Sequence, residues 1–243
     1  LRISEILGGS LRNAIPRESK ATVVIDAVSK EPFFFEMNEL INNIYNEYKS
    51  LEKDISIEIY ETESPNSIME LGVQEGFLKS VQTTLNGVYR MSPDIDGLVE
   101  TSNNVAKIIV KDGNIQVNCL TRSSSETNKI DLANSIRAAF ELSGFEVEYA
   151  GAYPGWLPNI NSEILTVLDS LYEKLYGEKA KIAACHAGLE CGILGQNYPN
   201  MDMVSFGPTI LGAHSPDERA SITSTQKFWS FLKEILENIP NKA

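Results

Sequence analysis

Residues 151–159 read GAYPGWLPN, and two glycines and two prolines in so short a span can continue neither a helix nor a strand. The chain must fold on either side of this break, and the two sides carry different patterns. Upstream, RISEIL (2–7) and KATVVIDAV (20–28) alternate as strands around a loop broken by Gly8, Gly9 and Pro16. From Pro32 to Lys53 the apolar residues Phe34, Met37, Leu40, Ile41, Ile44, Tyr48 and Leu51 recur at three- and four-residue steps, predicting a helix with Pro32 in its first turn. ISIEIYET predicts another strand and residues 68–85 a second helix. Two alternating runs joined by Asp112-Gly113 predict a hairpin. Glu126 to Ser143 has the helical period, Gly144 ends it, and FEVEYAGAY follows as a strand. Residues 1–155 therefore read as an α+β domain, an antiparallel-rich sheet with helices on one face.

Downstream, residues 156–243 read as a helix (Ser162 to Tyr176), a strand KIAACH, a glycine-rich turn into LECGILG, a strand DMVSFGP, a loop and a closing helix from Thr223 to Asn238. This is an α/β alternation with too few elements to close a doubly wound sheet, so the second domain reads as incomplete. The opening LRISEILGG lacks an initiator methionine and already alternates like a strand, as a chain cut from something longer would.

With 21 Lys and Arg against 33 Asp and Glu, the net charge of -12 repels phosphate backbones and anionic lipid heads, which excludes nucleic acid and membrane surfaces as expected partners. Apolar runs such as KIIV fall far short of the roughly 20 residues a bilayer span requires. Three cysteines, Cys119, Cys185 and Cys191, without paired spacing fit buried thiols in a reducing, cytoplasmic compartment.

There are only two histidines, His186 and His214. His214 stands on the Gly- and Pro-punctuated loop GPTILGAHSPDER, where a side chain is presented as a ligand or acid-base group, or simply as a surface residue. In CHAGLECG, Gly188 and Gly192 would let backbone amides approach a substrate and Glu190 supplies a carboxylate; equally, the glycines are turn formers. Both stretches follow expected strands, where open α/β sheets bind ligands.

Taken together, LRISEILGGSLRNAIPRE, GAYPGW, HAGLECG, PNMDMVSFGPTILGAHSPDE and the FW of the last helix resemble the aminoacyl-histidine dipeptidases (Xaa-His or cytosolic non-specific dipeptidases), carnosinase-like co-catalytic zinc peptidases, along essentially the whole chain. The resemblance implies an α/β catalytic domain with two zinc ions, interrupted by an α+β lid that also dimerises. Residues 1–155 would be the lid without its start, and residues 156–243 the C-terminal part of the catalytic domain. The family's H-x-D pair, bridging Asp, Glu-Glu pair with the general base, and further Asp ligand would all lie upstream.

By the same resemblance His214 is a terminal zinc ligand; Asp217 and Glu218 are either supporting carboxylates or the N-terminal charges of a following helix. Arg122, in CLTRSSSE, grips the C-terminal carboxylate of a dipeptide, and Asn13 and Asn104 hydrogen-bond the same end. The expected function is that of the C-terminal half of a zinc dipeptidase acting on dipeptides such as Xaa-His. The parent would be a homodimer through the lid, with two zinc ions per site. The isolated chain, lacking most ligands, would hold no zinc and be inactive. A dimerisation or binding module without catalysis, and a fragment of a related zinc deacylase, are the alternatives.

Overall fold

Gly9 has a φ of +73°, and a Cβ there would stand 1.9 Å from the carbonyl oxygen of Ala106. Only glycine lets the chain leave β1 (Arg2–Gly9) in this conformation and return antiparallel as β2 (Ser19–Val24), from Gly8 opposite Ser19 to Arg2 opposite Val24. The computed structural model describes residues 1–157, 159, 161–184, 190–213 and 217–239. It divides into two compact units: Leu1–Gly87 with Asn103–Thr121 and Leu132–Glu148, and Val88–Ser102 with Arg122–Asp131 and Tyr149–Ala243.

A single 3-10 turn, Ala27–Ser29, leads into α1 (Lys30–Tyr48), which has Pro32 in its first turn as the sequence predicts. The helix stops at Tyr48, short of Lys53, and Ile41 is its one buried residue. α2 (Leu71–Thr83) begins where the Glu70 carboxylate accepts the Val73 N–H at 2.9 Å, and backbone amides hold that carboxyl below the usual carboxylate range. β3 (Gly87–Met91), which the sequence does not announce, precedes β4 (Val99–Lys111). Asp112 and Gly113, at φ 51° and 76°, turn β4 into β5 (Asn114–Ser123) with the twist that paired strands require. The sheet runs β2-β1-β4-β3, with β5 also paired to β4.

In the first unit, Phe77 of α2 packs with Ile3 and Val110, while Leu132, Ile136 and Phe140 of α3 (Glu126–Glu141) form a second cluster. Val81, Val117 and Phe145 touch both clusters, so α2 and α3 cover the same face of the sheet. This is the expected helix layer.

Two expected strands of this unit make no ladder. In ISIEIYET, Ile55, Ile57 and Ile59 are half-buried between exposed neighbours, but the Ile57 N–H is taken by the Tyr45 hydroxyl at 2.7 Å rather than by a strand. FEVEYAGAY likewise stays outside the sheet, and its Phe145 and Val147 pack on the α3 cluster. Alternation reports which face a segment buries; a strand also needs a neighbour for its peptide groups.

The second unit is built on α4 (Glu163–Tyr176) and α6 (Ile222–Asn238), whose Leu168, Leu171, Phe231 and Ile235 form its core. Lys227 Nζ lies 4.6 Å and 4.2 Å from the ring centroids of Tyr172 and Tyr176, joining the helices by cation–π contact. Gly177, left-handed at φ 71°, closes α4. α5 (Glu190–Asn197) takes up the LECGILG stretch. β6 (Ile210–Leu211) and β7 (Arg219–Ala220) pair antiparallel.

The strands expected at KIAACH and DMVSFGP are not formed: residues 181–184 and 202–208 carry no ladder, and the rest of KIAACH lies outside the described residues. Among the described residues no helix is long and apolar enough to cross a membrane.

Candidate functional site

Arg122 and Ser123 end β5, and the corner they open is bonded tightly to β4. The Thr101 and Ser123 hydroxyls are 2.8 Å apart, the Ser124 N–H donates to the Glu100 carbonyl at 3.1 Å, and the Ser125 N–H donates to Ser123 Oγ at 3.0 Å. Thr101, Ser123 and Ser124 are all buried. Arg122 is half-buried, and its Nε is enclosed without a hydrogen-bond partner among the described residues. A buried guanidinium donor left unpaired is costly, so Arg122 Nε is a candidate to receive an acceptor from beyond the described residues.

GAYPGW is drawn onto this corner. Glu126, first residue of α3, accepts from Lys129 Nζ at 2.7 Å and from the Gly155 N–H at 3.3 Å, and Lys129 donates to the Tyr153 carbonyl at 2.5 Å. A Cβ on Gly155 would meet the Ser124 carbonyl oxygen at 2.5 Å. A Cβ on Gly192, in the first turn of α5, would meet the Pro154 carbonyl oxygen at 2.7 Å. Three motifs separate in sequence, RSS, GAYPGW and the ECG of HAGLECG, thus close on one another through two positions where only glycine fits. Glu190 opens α5 as an exposed residue, and Gly188 lies outside the described residues.

In the first unit, Asn13 is exposed on the turn after β1, and Asn104 donates to the Ala14 carbonyl at 2.8 Å and to that of Arg12 at 3.5 Å. The Asn104 amide thus holds the turn that carries Asn13. His214 lies outside the described residues, as do His186 and Cys185. The strands flanking the His214 loop are paired, Leu211 opposite Arg219. Cys119 and Cys191 are half-buried rather than buried as expected, and desolvation pushes the Cys119 thiol up, against a hydrogen bond from Asn103. A shallow groove of about 350 Å³ along α4, lined by Thr166, Val167, Ser170, Leu171, Lys174 and Asn238, contains none of the candidate residues.

Glu100, Arg90 and Asn128 were not singled out by sequence reasoning, yet they surround the corner; a lone acidic residue on an alternating strand was the available signal. Asp202, in NMDMVSFGP, receives the Ser162 hydroxyl at 2.8 Å and the Ile164 N–H at 3.1 Å, which makes it an anchor for α4.

The profile of peptidase family M20/M25/M40 matches residues 20–238. The cytosol non-specific dipeptidase of Escherichia coli (strain K12) is 37% identical over 242 residues, which cover 100% of this chain and 50% of that protein. The chain belongs to peptidase family M20/M25/M40. The crystal structure of aminoacylhistidine dipeptidase from Vibrio alginolyticus superposes with a TM-score of 0.89 at 40% identity, over 100% of this chain and 49% of that one. This M20 chain therefore spans about half the length of the relatives it matches.

M20 peptidases are generally metal-dependent. Among the described residues no three His, Cys, Asp or Glu side chains gather to hold a metal ion, so the residues described do not form a metal centre.

Proposed function

We propose that this chain is the part of a zinc-dependent M20 dipeptidase that grips the substrate's terminal carboxylate and supplies one zinc ligand. Arg122 is the carboxylate grip, its planar fork suited to a bidentate partner. The observation that carries this reading is its enclosed Nε at the end of β5, without a hydrogen-bond partner among the described residues. His214 is the ligand, Asn13 orients the substrate from a turn held by Asn104, Gly188 lets a backbone amide approach the substrate, and Glu190 supplies a carboxylate. Asp217 and Glu218 support His214.

Residues 1–155 act as lid and residues 156–243 as the C-terminal part of the catalytic domain. The substrates are dipeptides such as Xaa-His, and the compartment is the cytoplasm, where the name of the Escherichia coli relative places that protein. The exposed apolar side chains of Phe35 and Leu40 on α1 support a homodimer through the lid.

A catalytic zinc needs at least three protein ligands, and no step through the metal can be assigned to this chain. The chain alone is therefore expected to hydrolyse no dipeptide. Incubating the purified chain with an Xaa-His dipeptide and added zinc checks this, and clear turnover overturns it.

A further inference from the structure

Glu100 is 6% exposed, yet it carries a carboxylate. Asn128 Nδ2 donates to its Oε1 at 2.7 Å, Arg90 Nε lies 3.3 Å from the same oxygen, and Arg90 Nη1 donates to Asn128 Oδ1 at 3.4 Å. The three side chains close a triangle linking β3, β4 and the first turn of α3. A carboxylate buried to this extent costs stability that its partners only partly return, and apolar residues would fill such a place at least as well. What the triangle does supply is geometry. It fixes α3 at Asn128 and β4 at Glu100, and Ser123 and Ser124 are already bonded to Thr101 and to the Glu100 carbonyl. Arg122 is the residue immediately before that fixed corner.

We propose that Glu100, through Asn128 and Arg90, is the positioning residue that aims the Arg122 guanidinium at the substrate carboxylate. The inference rests on the reading of Arg122 as the carboxylate grip. It adds a specificity device: the buried acid makes preference for a free C-terminus depend on an ion pair that touches no substrate. Binding energy is lost when a fork is misaimed, even with the fork intact.

The test uses the whole isotopically labelled chain and glycyl-histidine as probe, with glycyl-histidinamide as the control lacking the carboxylate. The Arg122 Nε–Hε resonance should shift on addition of the acid and not of the amide, and Arg122→Ala should abolish that preference. Glu100→Gln, close in shape, should weaken acid binding by about tenfold while leaving amide binding unchanged. Arg90→Lys, which keeps the cation, should retain most of the preference.

If Arg122→Ala binds the acid as well as the parent chain does, the carboxylate grip itself is wrong and the positioning role falls with it. If Arg122→Ala loses the preference but Glu100→Gln keeps it, the grip stands and the positioning role alone is refuted. Should Glu100→Gln fail to fold, Asn128→Ala removes one side of the triangle and decides by the same readout.

Discussion

The Ser162 hydroxyl joins two segments at once: it donates to Asp202 Oδ2 at 2.8 Å while its oxygen accepts the Leu165 N–H at 3.0 Å. The start of α4 is thereby tied to the NMDMVSFGP stretch. Burial works against the Asp202 charge, but the donors from Ile164, Ser162 and Asn159 outweigh it and hold the carboxyl below the usual carboxylate range.

A carboxyl depressed by folding gives stability that is complete above its unfolded value of about 3.9 and is lost as pH falls through its folded-state value. Asp202→Asn is expected to flatten the acid limb of the stability curve below about pH 4, with Ser162→Ala costing about 1 kcal/mol near neutrality. Thermal melts followed by circular dichroism across pH check both; an acid limb identical in the Asn variant would remove Asp202 from this role.

Gly155 and Gly192 each sit closer to a carbonyl than any Cβ allows. Gly155→Ala and Gly192→Ala should each destabilise the chain by about 1–3 kcal/mol through forced backbone movement. Trp156, next to Gly155, gives the readout: its fluorescence should change in both variants, and an unperturbed emission with unchanged melting would show that the corner is looser than described.

Phe77 is 2% exposed at the centre of the first unit's core, whereas Phe35 on α1 is 69% exposed. Phe77→Ala should cost about 3–5 kcal/mol, and Phe35→Ala should stay within about 0.5 kcal/mol when measured at dilution. Denaturant midpoints compare the two directly, and equal losses would contradict the burial pattern.

Local chemistry was legible wherever it was self-contained. The Asp112-Gly113 turn, the helical periods of α1 and α3, and the span of α4 up to Tyr176 all depend on residues a few positions apart. Long-range pairing was not legible. Ile55, Ile57 and Ile59 alternate as a strand would, but nothing in ISIEIYET says whether a neighbour will present its peptide groups. The same holds for DMVSFGP, where the aspartate that looked like part of a strand serves as an anchor for α4. At the candidate site, Arg122 was singled out only through the family resemblance, while Glu100 was hidden because its partners lie on β3 and α3, 10 and 28 residues away in sequence.

α1 commits Ile41 alone to the interior, leaving Phe35 and Leu40 in contact with solvent. With those two side chains turned outward, α1 keeps an apolar strip that covers no part of its own polypeptide's interior.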